Sequence, residues 1–138
     1  MADLIVTPAN VLAQAGSTKS EGIAGESITA GETIYKASAT GKIMKADASD
    51  EAGSKALGVA LNNAALDQPV DFVTAGKLTA GAAVGVGTVY AVSAATPGGI
   101  CPVGDLEAED YVTILGVGVN ATTINLTIIP SGVQIPDA

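Results

Sequence analysis

The chain contains an internal repeat, which limits the folds that are open to it. When the 138-residue sequence is aligned with itself at an offset of about 55 to 58 residues, residues 31–76 match residues 87–132. The matched positions include Tyr35 with Tyr90, Ile43 with Ile100, and Leu57-Gly58-Val59 with Leu115-Gly116-Val117. Two copies are too few for a stacked solenoid, which needs three or more to bury its faces. The repeat therefore predicts two related units that pack against each other.

Each copy has the composition of β-strands. Val and Ile number 25 against nine Leu, and Gly, Pro, Asn, Asp and Ser recur between them every six to twelve residues. The strongest strand candidates are Thr33–Lys36, Ala56–Leu61, Val70–Thr74, Thr88–Val92, Tyr111–Val119 and Thr123–Ile129. The last of these alternates apolar and polar residues, which indicates one buried and one wet face.

These strands predict an all-β fold. We expect two related β-meander repeats to form a compact β-barrel or sandwich, with residues 29–138 as a single domain. The segment from Gly76 to Gly81 is short, which favours one compact unit over two separate lobes.

Residues 1–28 lie outside the repeat, and we expect them to form an extended N-terminal arm. The arm can fold back as an extra strand on its own domain, or it can reach out to the sheet edge of a neighbour. We take its apolar residues as the candidate partner contacts: Leu4, Ile5, Val6, Val11 and Leu12.

The charge of the chain excludes several partners. There is no His and no Arg, and fourteen acidic residues against six lysines give a net charge of −8. Because nothing here neutralises a phosphate backbone, we expect no nucleic-acid partner. The sequence shows no signal peptide and no long apolar run, so we expect no membrane association and synthesis in a cytoplasm.

The residues that could carry chemistry have structural explanations. The acidic loops Asp47–Glu51 and Asp105–Asp110 lack the ligand spacing of a calcium-binding loop and predict solvated turns. Cys101 has no His or Arg to activate it, and Ser38 and Ser93 have no candidate base. We therefore expect no catalytic residue, no cofactor and no metal site, and hence no enzyme.

Several short motifs mark a fold rather than a catalytic site. They are Gly31-Glu32-Thr33-Ile34-Tyr35, Thr74-Ala75-Gly76-Lys77-Leu78, and Tyr90-Ala91-Val92-Ser93 followed by Thr96-Pro97-Gly98-Gly99-Ile100. With these motifs in this order, the chain from about Ala24 to Val133 resembles the small structural proteins of tailed-bacteriophage virions, particularly capsid decoration (cement) proteins. The resemblance implies a β-rich virion protein that acts without cofactors and forms a homo-oligomer, with a trimer favoured.

The resemblance also implies a function. The expected role is to bind the major capsid protein on the outer capsid surface and to stabilise the shell by bridging capsid subunits. The protein would be made in the cytoplasm of a bacterial host. The alternative is a phage tail, fibre or host-surface-binding module, which a shallow glycan pocket lined by Tyr35 and Tyr90 would favour.

Overall fold

The computed structural model describes residues 3–136 of the chain. Within them nearly all regular structure is β-strand, and the all-β prediction is confirmed. The exceptions are one four-residue helix, α1 (Glu51–Ser54), and 3-10 turns at Pro8–Asn10 and Val103–Asp105. The strands are β1 (Val11–Ala13), β2 (Thr18–Ile23), β3 (Thr33–Lys36), β4 (Ile43–Lys45), β5 (Gly58–Ala60), β6 (Pro69–Ala80), β7 (Val89–Val92), β8 (Ile100–Pro102), β9 (Tyr111–Gly118) and β10 (Thr123–Gln134).

All ten strands belong to one antiparallel sheet. Eight of them are linked by successive pairings in the order β4-β3-β5-β6-β10-β9-β7-β8, with the pair β6 and β10 in the middle of the series. Moving outward, β6 is followed by β5, β3 and β4, and β10 is followed by β9, β7 and β8. The order of pairing in each half therefore follows the order of the two sequence copies, while their descent from one duplicated unit stays a prediction.

Strand pairing does not reproduce every match of the sequence alignment. Ile34 pairs with Gly58, and Tyr90 pairs with Gly116. Because Gly58 and Gly116 are matched in the alignment, pairing places Ile34, and not Tyr35, at the position of Tyr90. Ile34 and Tyr90 also belong to different clusters of the core. The correspondence between the halves thus holds for strand order and not for which face each residue occupies.

The central strand β6 is hydrogen-bonded along both edges. β2 and then β1 run along one edge, while β5 and then β10 run along the other. Thr79, for example, faces Leu12 of β1 on one side and Thr123 of β10 on the other. The segment from Gly76 to Gly81, which we expected to join two units, lies almost wholly inside this strand.

Residues 3–28 fold back on the domain, which is the first of the two placements that the sequence left open. β1 and β2 continue one another along β6, with a break between them next to Gly76. Gly76 has a φ of +99°, and an added Cβ there would lie 2.7 Å from the Cα of Ser17. Glycine therefore lets the two strands pass β6 at close range.

The sheet curls, because residues from strands across its whole width meet in one apolar cluster. This large cluster includes Val59 of β5, Leu78 of β6, Ile100 of β8 and Leu115 of β9. A smaller cluster forms on the other side of β5 and β6, around Ile28, Ile34, Ile43 and Phe72. β5 is buried on both faces, since Val59 joins the large cluster and Ala60 the small one.

The close approach of β9 and β10 depends on a glycine. A Cβ added to Gly116 would overlap the carbonyl oxygen of Asn125 and would lie 3.1 Å from the Cα of Leu126. Both of these contacts are with backbone atoms of β10, which cannot move without breaking the pairing of the two strands. The position therefore has no room for a side chain.

We expect the Gly116→Ala variant to lose roughly 1–3 kcal/mol of unfolding free energy, because overpacking against backbone forces the strands apart. Urea denaturation followed by circular dichroism measures this loss. The matched control is Gly104→Ala, since Gly104 is exposed and an added Cβ there has no atom within 4 Å. Equal midpoints for both variants would contradict the close approach.

Candidate functional site

The fold separates the five candidate contacts of the N-terminal segment. Val11 is buried in β1, and Leu4 and Val6 are half-buried against the large core cluster. Ile5 is 90% exposed and Leu12 is 62% exposed. Of the five, Ile5 and Leu12 are therefore the two that are placed to contact a partner.

Hydrogen bonds fix the backbone that carries Ile5. The N–H of Leu4 donates to the carbonyl of Ile100 in β8 at 2.8 Å. The hydroxyl of Ser93 lies 2.8 Å from both carboxylate oxygens of Asp3, to which it donates, and it accepts from the N–H of Ala95 at 3.1 Å. Ser93 is thus a turn residue, as expected, and also an anchor for the segment. Ile5 is held outward by a fixed backbone.

The acidic loops use their carboxylates to stabilise turns. Asp47 accepts from the N–H and the hydroxyl of Ser49, and Asp50 caps α1 by accepting from the N–H of Gly53 at 2.8 Å. In the second loop, Asp110 accepts from the N–H of Glu107 at 2.9 Å. Within residues 3–136, no group of three or more Cys, Asp or Glu side chains is arranged to hold a metal ion.

Cys101 lies at an open cleft of about 730 Å³ between the N-terminal segment and the second acidic loop. Burial raises the pKa of its thiol to about 12, and the negative charges of Asp3, Asp105 and Asp110 contribute to the same shift. A thiol with this pKa is protonated at neutral pH and is a poor nucleophile. Cys101 therefore contributes a small, buried apolar group to the wall of the cleft.

The last two strands form a hairpin without charge. No Asp, Glu, Lys or Arg occurs from Tyr111 to Pro136, although the whole chain carries a net charge of −8. The hairpin covers all of β9 and β10. The two strands therefore carry no charge of their own, while the Lys55 side chain lies beside Gly132 and the acidic loop adjoins one end of the hairpin.

One face of this hairpin is apolar and open to solvent. Ile129 of β10 pairs with Ile114 of β9, and Val133 pairs with Val112, so the four side chains share one face. Ile129 is 55% exposed and Val133 is 61% exposed, while their partners are half-buried. Thr113 points to the opposite side, where its hydroxyl donates to the carbonyl of Ser54 in α1. We call Val112, Ile114, Ile129 and Val133 the hairpin face.

The hairpin face was not among the residues predicted from the sequence, although the sequence contains one signal for it. That signal is the uncharged run of 26 residues from Tyr111 to Pro136. Regular alternation alone does not place these side chains, because the pairing of β9 with β10 shifts twice, between Leu126 and Ile129 and between Pro130 and Val133.

The two tyrosines of the alternative glycan site do not form one. Tyr90 is 2% exposed, and its phenolic oxygen accepts from the N–H of Gly85 at 2.8 Å. Tyr35 is half-buried and packs against the large core cluster. Tyr90 is thus a packing residue that is closed to a sugar, and Tyr35 contributes part of its side chain to the core, so the two rings do not line a common pocket.

In comparisons with known proteins, no family model, no curated protein and no solved structure matched this chain. Within residues 3–136 no helix has the length and apolar character needed to cross a bilayer.

We expect the thiol of Cys101 to react with iodoacetamide at pH 8 at least about 100-fold more slowly in the native protein than in urea. The reason is that burial keeps the thiol protonated, and the thiolate is the form that reacts. Mass spectrometry of timed samples measures both rates. In the Asp3→Asn variant most of this protection should remain, since burial is the largest cause of the raised pKa. Equal rates in native and unfolded protein would contradict the burial of this side chain.

Proposed function

We propose that this protein is a structural component of a tailed-bacteriophage virion. It binds the major capsid protein on the outer surface of the capsid and stabilises the shell by bridging capsid subunits. It acts as a homo-oligomer, with a trimer favoured, and needs no cofactor. The motif resemblance from about Ala24 to Val133 supplies the biological setting, and the structure supports a role in binding.

The observation that carries the proposal is the exposure of Ile5 on an anchored backbone. The Ile5 side chain is 90% exposed, so it contributes almost no burial to the fold itself. Covering it with a partner is favourable, because its apolar surface then leaves water. Because the hydrogen bonds of Asp3 and Leu4 already fix its backbone, little conformational entropy is lost on binding. Ile5 is therefore well placed to contact the capsid.

A protein that bridges subunits needs at least two contact surfaces. The N-terminal segment supplies one through Ile5 and Leu12, and each further copy in a homo-oligomer supplies the same surface again. The acidic charge of the remaining surface suits the outside of a shell, where it does not attract packaged nucleic acid.

The test uses expanded heads that lack this protein, from the phage that encodes it. We expect a double variant, Ile5→Asp with Leu12→Asp, to bind these heads at least about tenfold more weakly, because each change removes an apolar contact and adds a buried charge. Co-sedimentation at increasing protein concentration measures the affinity.

The matched control is Leu66→Asp, which places a charge at a similarly exposed leucine (59%) outside the N-terminal segment. Saturation of heads by the double variant at wild-type affinity would overturn the assignment of this segment. Immunogold labelling of intact virions tests the location, and labelling on the tail rather than the head would favour the tail, fibre or host-surface alternative.

A further inference from the structure

We propose that the hairpin face, formed by Val112, Ile114, Ile129 and Val133, is the surface on which a second copy of this chain docks. The proposal goes beyond capsid binding and does not depend on it. It gives the expected self-association a definite place in the structure.

The hairpin face exposes apolar side chains that lie next to one another. Val133 and Ile129 are 61% and 55% exposed, and they are neighbours on one strand with their half-buried partners beside them. Single exposed apolar residues are common on protein surfaces, but a contiguous group on one face of a sheet marks a binding surface. Val117, which is 40% exposed, lies further along the same strand β9.

The distribution of charge favours a second copy of this chain as the partner of the hairpin face. Two molecules that each carry −8 repel one another, and this repulsion is smallest when the contact surfaces themselves bring no like charges together. The segment 111–136 meets this condition on both sides of a self-contact, because it contains no ionisable acid or base apart from Tyr111. An apolar surface without charge is also complementary to itself, as a symmetric contact requires.

Beyond Thr127, where its pairing with β6 ends, β10 has one edge that is not paired with β6, but this edge is poorly suited to an added strand. Pro130 has no N–H to donate, Gly132 has a φ of +67°, and β10 is irregular on both sides of Pro130. Such features prevent regular pairing with an added strand. Docking through the face needs no hydrogen-bond ladder, so apolar packing of one hairpin on another is the mode that this geometry allows.

The experiment measures the mass of the wild-type protein by sedimentation velocity over a roughly hundredfold range of concentration. We expect a concentration-dependent oligomer that becomes stronger as salt is added, because salt screens the repulsion between acidic copies and does not weaken an uncharged contact. Ile129→Asp and Val133→Asp should each raise the dissociation constant at least about tenfold.

Leu66→Asp again serves as the control for added charge, and circular dichroism of each variant checks that the fold is kept. A second measurement uses Val133→Cys, whose introduced thiol reports on the face because Cys101 is buried. Its alkylation rate should fall as the protein concentration rises.

A wild-type protein that stays monomeric throughout would overturn the proposal, as would face variants that assemble like the wild type. If the monomer binds heads and the face variants do not, the face belongs to the capsid contact and the second copy is excluded. Failure of the Ile5 and Leu12 variants to affect head binding bears on the capsid contact alone, so the two proposals fail separately.

Discussion

The sheet depends on the hydrogen bonding of β6 along both of its edges. β2 and β1 cover one edge, and β5 and β10 the other, so this strand holds the N-terminal segment and both halves of the fold together. A strand paired on both sides leaves no free N–H or C=O row along its length. The N-terminal segment is consequently part of the domain, and the exposure of Ile5 and Leu12 is set by the sheet and not by a loose arm.

The core that rests on this strand is thin. Nine of the 26 buried apolar residues in the described chain are alanine, and each of these buries little area. Close approach partly compensates, since Gly58 and Gly116 let neighbouring backbones meet without side chains between them. A small domain built in this way has little hydrophobic stabilisation in reserve, so covering Ile129 and Val133 in an assembly would add a meaningful share.

Most strands with a buried face were visible in the sequence, although the three-residue strands β1, β4 and β8 were not among the strongest candidates. Thr33–Lys36 was predicted with its observed bounds, whereas β2 was missed because its residues from Thr18 to Glu21 are all exposed and show no alternation. The burial of Val11 depends on its pairing with Ala80, a contact between distant parts of the chain. The sequence around Val11 does not indicate this pairing. Val11 and Leu12 were therefore equal candidates for a partner contact.

The hairpin face cannot be predicted from regular alternation of apolar and polar residues, because the strand β9 is irregular. Leu115 is fully buried and Gly116 pairs with core residue Leu126, so two successive residues of β9 face the core. This bulge turns Ile114 outward, where strict alternation from Gly116 would have turned it inward. Beyond residue 77 the described acids are confined to the loop from Asp105 to Asp110, which adjoins one end of the hairpin through the hydrogen bonds of Glu109 and Asp110 with Ile135, so these charges are separate from the strands that carry the apolar face. That separation allows one small sheet to repel its neighbours in general and still offer one surface on which a copy can dock.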